Sequence, residues 1–434
     1  MNISPDSQAI ILLCSSLAVS RKGEKDEDEK TPFTLPEWNV IARKLSSSVL
    51  KSPGAFFQAD PEQWQKYLGL SKKEVNRIAK LLSRTGQLAI ELERLESLGI
   101  WVVTRADPFY PSRLKTLLKQ RAPLVLFGAG EPGLLELEGV AVVGARDVDA
   151  EGADFTNRLA QRCAEEGLIV VSGGARGVDQ IGQDSALAAG GKAVTVLADS
   201  LEARLRQRKV REAVLSGCLV LLSPYHPGAR FTVGSAMCRN KYIYALSRYA
   251  VVVSASFNKG GTWAGAVENL RHKWVPLFVR DGENTPEGNQ RLIEKGGIPL
   301  KPQMLDDKGG LRATLEFYSA KAFGYTRPDA GEAVVGESLE KKDPVARRKD
   351  PGLQPANEHD LFAIVWPYIE KELDTPKTEQ ELADKLKVRR RQMQDWLKKA
   401  QELGKVHKMT RPVRYARSLH LKKISQPSLF EDIK

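Results

Sequence analysis

From Val140 onward the chain alternates short, unbroken apolar runs with longer amphipathic stretches. The runs are Val140–Val143, Leu168–Ser172, Ala193–Leu197, Leu219–Leu222, Ala250–Ser254 and Val275–Val279. Most are rich in β-branched residues and apolar at successive positions, as a strand covered on both faces must be. The stretches between them carry helical periodicity. This alternation predicts an α/β fold: a Rossmann-like parallel sheet wrapped by helices. Right-handed crossovers then put every strand-to-helix loop at one edge of the sheet, the carboxyl edge, where such folds bind ligands.

Ahead of the sheet, Leu35–Leu98 is helical in pattern, with Asp60 before Pro61 and Ser71 before Lys72 as N-caps. Residues 1–98 are expected to form a helical domain. Ala9–Val19 has the apolarity of a signal-peptide core, but Asp6 precedes it where basic residues belong, so a buried helix is expected. No apolar run is long enough to span a bilayer. Residues 99–323 hold the sheet, 324–357 read as a flexible linker rich in Pro, Gly and charge, 358–418 form a compact module, and 419–434 are a tail.

The compact module reads as three helices, His359–Leu373, Thr378–Leu386 and Arg389–Leu403, followed by the extended runs KVHKM and VRYAR. Thr378 and Glu381 make a capping box. Leu382, Ala383 and Leu386 share an apolar face with Met393, Trp396 and Leu397. A helix-turn-helix followed by a β-hairpin is the winged-helix pattern. Charge supports it. The chain has 434 residues and a net charge of +12, yet Lys387–Lys423 alone carries thirteen Lys or Arg against Asp395 and Glu402, a net of +11. Cations so concentrated suit a polyanion. Arg389, Arg390, Arg391 and Gln392, with Gln394, would front the recognition helix, and Lys405, Lys408, Arg411 and Arg414 would line the wing. Base-edge and phosphate contacts with DNA follow; a winged helix that binds protein is the alternative.

Four loops at the carboxyl edge carry further candidates. Gly144-Ala145-Arg146 follows the first strand and Ser172-Gly173-Gly174-Ala175-Arg176-Gly177 the second. The glycines let a ligand approach the backbone, and the N–H groups ahead of the next helix attract phosphate. Arg146 and Arg176 add charge-assisted hydrogen bonds, while Asp179 is expected to cap the helix or orient an arginine. Arg239-Asn240-Lys241 lies on the helix leading to the fifth strand, and Gly260-Gly261-Thr262 follows that strand. Together they predict a basic, glycine-lined groove able to track the phosphates of a strand.

In order and spacing, residues from about Gly99 to Leu300 resemble the DprA/Smf family of DNA-processing proteins. VAVVGAR, SGGARGVD, LLSPYHPG, CRNK, GGTWAGA and GNQRLIEKGG are similar to successive family motifs. The resemblance implies a single-stranded-DNA-binding core that helps load a RecA-type recombinase in recombination, usually as a homodimer. It puts Arg146, Ser172–Arg176, Arg239, Asn240 and Lys241 on phosphate-binding positions. Lys241 stands where the family often has arginine, and Ala236 where it often has an aromatic, leaving Phe231 as the candidate base contact. Tyr225 and His226 either stack a base or are plain surface residues. Many such chains carry a similar C-terminal module, which would add duplex or junction DNA as partners. The helical N-terminal domain is then either a SAM or helix–hairpin–helix contact to DNA or a structural part.

Two other functions compete. One is a regulator or antitoxin of a phage-defence module, with a toxin partner. The other is a phosphoribohydrolase of the lysine-decarboxylase-like (LOG) kind, which needs a glutamate three residues after the loop threonine; here Glu268 is six after Thr262. No P-loop is present, and the four cysteines form no CxxC pair. The expectation is a cytoplasmic, non-enzymatic protein with no catalytic residue, no metal and no cofactor.

Overall fold

A computed structural model describes residues 3–17, 31–307, 309–323, 361–386, 388, 390–410 and 413–417. The expected linker 324–357 and tail 419–434 lie outside the described residues, as do Arg389 and Arg411. The chain divides into two units, one of Ile3–Leu82 and Arg94–Lys349, the other chiefly of Ser83–Glu93 and Asp350–Lys434.

The first unit is built on a nine-stranded sheet: β1 (Trp101–Thr104), β2 (Val125–Ala129), β3 (Gly139–Val143), β4 (Ile169–Ser172), β5 (Ala193–Val196), β6 (Leu219–Ser223), β7 (Tyr249–Val252), β8 (Leu277–Arg280) and β9 (Ile298–Leu300). The spatial order is β1-β2-β6-β5-β4-β3-β7-β8-β9. From β6 through β9 every pairing is parallel, while β2 pairs antiparallel with β6 and β1 antiparallel with β2. The six expected strands are β3 to β8. The short β1, β2 and β9 extend the sheet beyond them.

Strand residues alternate between two cores. Val140, Val142, Val170 and Val251 pack with Phe155, Leu159 and Ala186 on one face. Ala141, Val143, Val171 and Val252 pack with Ile243, Leu246, Trp263 and Ala266 on the other. Helices on both faces make the sheet doubly wound. The chain steps outward from β3 to β6, returns through the helix Val233–Leu246, and resumes at β7 beside β3. The strand order therefore reverses at the carboxyl ends of β3 and β7, where folds of this class open a crevice.

The apolar stretch near the N-terminus forms the helix Pro5–Cys14, with Ala9 to Leu13 all buried. Asp60 accepts from the Gln63 N–H at 2.8 Å and Ser71 from the Glu74 N–H at 3.3 Å, so both expected caps form. Among the described residues no helix is long and apolar enough to cross a membrane.

The second unit contains the helices Leu361–Glu372, Glu379–Lys385 and Arg390–Glu402 and an antiparallel pair, β10 (Val406–Thr410) and β11 (Val413–Arg417). Lys377 bridges to Tyr415 as a third extended segment. Trp366, Ile369, Leu382, Met393, Trp396, Leu397, Val406 and Tyr415 form its core, which also takes in Ala89. Thr378 and Glu381 make the expected capping box.

Candidate nucleic-acid interface

The reversal point is built by close contact between loops. Gly177 has φ of +84°, and a Cβ there would sit 2.4 Å from the carbonyl oxygens of both Ala145 and Arg146. Only glycine lets the loop after β4 press against the loop after β3 in this way. The Val178 N–H donates to the Ala145 carbonyl at 3.2 Å. From the other side, the Thr262 hydroxyl donates to the Gly144 carbonyl at 3.0 Å. The Asn240 amide donates to the Gly261 carbonyl at 3.0 Å. The loops after β3, β4 and β7 and the helix Val233–Leu246 are thus joined at one edge.

A cleft of about 310 Å³ opens there, lined by Arg146, Gly173, Gly174, Ala175, Arg176, Ala198, Asp199, Arg204, Phe231 and Arg239. Its cations differ sharply in state. Arg239 is buried and donates to the Val196 carbonyl. Its guanidinium lies flat against Gly173, where a Cβ would meet Nη1 at 2.0 Å. Burial pushes the Arg239 pKa down, opposed by the negative charges of Asp179 and Asp199. Asp179, also buried, accepts from the Gly173 N–H at 2.9 Å. Its carboxyl is pushed up by burial, against the pull of Arg239 and of backbone donors at Gly173, Ala175 and Gly144. Arg176 pairs with Asp147 at 2.7 Å. Arg204 donates to the Gly174 carbonyl at 2.8 Å and stands 3.7 Å from Asp199. Arg146 makes no ion pair among the described residues; its guanidinium lies 5.7 Å from the ring centroid of Phe231, which is 48 % exposed.

Several expected roles change here. The Gly173 N–H points inward to Asp179 rather than to a ligand. Ser172, 1 % exposed, belongs to the end of β4 and not to the cleft surface. Asp179 makes no ion pair or hydrogen bond with an arginine among the described residues; it accepts loop N–H groups, and Arg239 is held by the Val196 carbonyl instead. Lys241 is half-buried with its Nζ 5.2 Å from the ring of Tyr242, and it is not among the cleft-lining residues. The Tyr225 hydroxyl donates to the Ser235 carbonyl at 2.9 Å, and His226 Nδ1 accepts from the Gly228 N–H at 3.0 Å, so both brace their loop. Arg204 and Asp199 were not foreseen. The loop after β5 has no glycine to draw attention to it, although the run Arg204, Arg206, Arg208 is a visible basic signal.

In the second unit, Arg390 pairs with Glu379, its Nε donating at 2.6 Å, and the Gln394 amide donates to the same carboxylate at 2.9 Å. Arg391 and Gln392 lie in the same helix. Lys405, Lys408 and Arg414 are exposed on and beside the hairpin. No cluster of His, Cys, Asp and Glu suited to a metal occurs among the described residues.

Fold and cleft together define a doubly wound, Rossmann-like α/β protein with an arginine-lined crevice at the carboxyl ends of β3 to β5, beside its topological switch point. Residues 101–304 match the family described as DNA recombination-mediator protein A. The chain is 30 % identical over 213 residues to the DNA processing protein DprA of Streptococcus pneumoniae, covering 48 % of this chain and 72 % of that protein. It is 32 % identical over 209 residues to the putative DprA of Mycobacterium tuberculosis, covering 45 % of this chain and 52 % of that protein. In three dimensions it aligns with DNA processing protein A of S. pneumoniae with a TM-score of 0.50 and 21 % identity, over 71 % of this chain and 99 % of that one. The chain belongs to the DprA/Smf family of DNA-processing proteins.

Proposed function

We propose that this protein binds single-stranded DNA in the cleft at the carboxyl ends of β3 to β5 and serves as a recombination mediator. The observation that carries the reading is the pairing of Arg146 with Phe231. An arginine with no ion pair among the described residues stands beside an exposed aromatic ring at the mouth of the cleft. A cation for the phosphate and a ring for the base are the two elements that hold a single strand without reading its sequence. Arg239, held by the Val196 carbonyl, and Arg204, held by the Gly174 carbonyl and Asp199, supply a fixed positive wall behind them. The family to which the chain belongs carries recombination mediation in its description.

The second unit supports a winged helix that adds duplex or junction affinity. Three helices, a bridging segment and a hairpin follow in that order, with Lys405, Lys408 and Arg414 exposed. Homodimerisation and hand-over of the strand to a recombinase complete the proposed role.

The protein acts without chemistry of its own. Glu268 lies well inside the helix Gly260–His272 and is not among the residues that line the cleft. Fluorescence anisotropy with labelled oligothymidylate and with a duplex of equal length tests the proposal. Arg146→Glu should weaken single-strand binding at least about tenfold, the effect of a lost charged contact, and leave duplex binding by the second unit in place. Unchanged single-strand affinity would remove the cleft from the interface. Release of free base from nucleoside monophosphates would establish the hydrolase instead.

A further inference from the structure

The loop after β7 presents an aromatic that folding alone does not explain. Phe257 is 40 % exposed, yet its ring is held on two sides. It packs edge-on against the buried Trp263, with centroids 5.1 Å apart and planes at 86°. The Arg291 guanidinium lies 5.5 Å from its centroid and is itself anchored by Glu287 at 3.3 Å and Glu294 at 3.1 Å. The loop beneath is equally fixed. Asn289 accepts from the Ala255 N–H at 2.9 Å and donates to the carbonyls of Val253 and Arg280. A Cβ on Gly288 would meet the Ala255 carbonyl oxygen at 2.2 Å. A ring already positioned at the surface loses little further freedom when a ligand packs on it.

Its neighbours suit the same purpose. Lys259, two residues on, is exposed and makes no ion pair among the described residues. Met237, 38 % exposed, lies next to Gly261, where a Cβ would be 3.5 Å from its sulfur. Met237 is on the first turns of the helix that begins at Val233, two residues beyond Phe231. Phe231, Val233, Met237 and Phe257 are each exposed, and the Met237 sulfur lies beside Gly261, four residues after Phe257 and two after Lys259.

We infer that Phe257 and Lys259 form a second nucleotide subsite on the far side of the switch point, so that a single strand leaving the Phe231 cleft passes Met237 and stacks a further base on Phe257. The inference rests on the proposed binding of single-stranded DNA. Stacking on a ring accepts any base, and the lysine takes the adjoining phosphate. Arg291, already satisfied by two glutamates, props the ring and is not assigned a phosphate.

Anisotropy with oligothymidylates of about 4 to 16 nucleotides, the span of sites of this kind, separates the two subsites. Phe257→Ala should leave the shortest bound oligomers unaffected and weaken the longer ones by about 5- to 100-fold. Phe257→Tyr should restore the wild-type length dependence. Phe231→Ala should weaken every length. Loss of all binding by Arg146→Glu with no length-dependent effect of Phe257→Ala would overturn the second subsite while leaving the cleft intact. An equal effect of Phe257→Ala at all lengths would also overturn it. So would a shift in sedimentation to a smaller species with unchanged length dependence, since the exposed ring would then be a contact between copies. Thermal melting of each variant checks that the fold is retained.

Discussion

Asp179 holds the backbone N–H of Gly173 at 2.9 Å, and against that glycine lies the buried guanidinium of Arg239. The two acceptors of the interior, Asp179 and the Val196 carbonyl, thus set the back wall of the cleft before any ligand arrives. Asp179→Asn should cost about 1–3 kcal/mol of stability, because it weakens a buried acceptor of loop N–H groups. Urea denaturation measures it, and an unchanged midpoint would show that the loop holds without this acceptor.

Gly173→Ala tests the same wall by volume. A methyl 2.0 Å from Arg239 Nη1 must displace a side chain that is buried and hydrogen-bonded. A destabilisation of about 1–3 kcal/mol is expected, together with weaker binding of single strands. A fully stable variant with wild-type affinity would mean that Arg239 moves freely.

Thr262→Val removes the hydroxyl that ties the helix after β7 to the Gly144 carbonyl while keeping the volume. A loss of about 0.5–1.5 kcal/mol is expected on thermal or urea unfolding. Single-strand affinity should fall by a few-fold (about 0.5–1 kcal/mol) as the Arg146 loop loses its brace.

Glu379 neutralises Arg390 and engages Gln394 at the head of the helix expected to enter a groove. Glu379→Gln should raise duplex affinity and steepen its salt dependence by about one unit, one more phosphate contact being made. Weaker duplex binding would show instead that the carboxylate orients Arg390 for contact.

Glu37 is held down to about 2, chiefly by its hydrogen bond with Arg77 at 2.8 Å, with help from Thr34. A depressed carboxyl contributes stability above its unfolded pKa and loses it as pH falls toward the folded value. The stability difference between wild type and Glu37→Gln should therefore be full at neutral pH, shrink below the ordinary carboxylate range of about 4.5 and vanish near 2. Denaturation midpoints across that range measure it. The pair is partly exposed, so the effect is small.

The sheet was legible because buried parallel strands must be apolar at every position, and β3 to β8 are. β1 and β2 lie outside that alternation: they pair antiparallel, and β1 is only half-buried, so Trp101–Thr104 lacks the all-apolar, fully covered character of the inner strands. Glycine-rich loops located the right edge, because close approach of backbones at Gly173 and Gly177 demands glycine. What the loops could not show was which cations are already neutralised. Arg146, Arg176 and Arg239 look alike in sequence; only the fold reveals that Arg176 pairs with Asp147 and that Arg239 is buried on the Val196 carbonyl. Arg204 has no glycine beside it to mark a site, and its contact with the Gly174 carbonyl joins two loops far apart in sequence.

The salt dependence of single-strand affinity for Arg146→Ala and Arg176→Ala tests the central claim most directly. Each phosphate neutralised on a single strand contributes about 0.7 to the slope of log K against log salt. Arg146→Ala should reduce the slope by about that amount, and Arg176→Ala, already paired with Asp147, should leave it nearly unchanged. Equal slopes for wild type and Arg146→Ala would contradict the account.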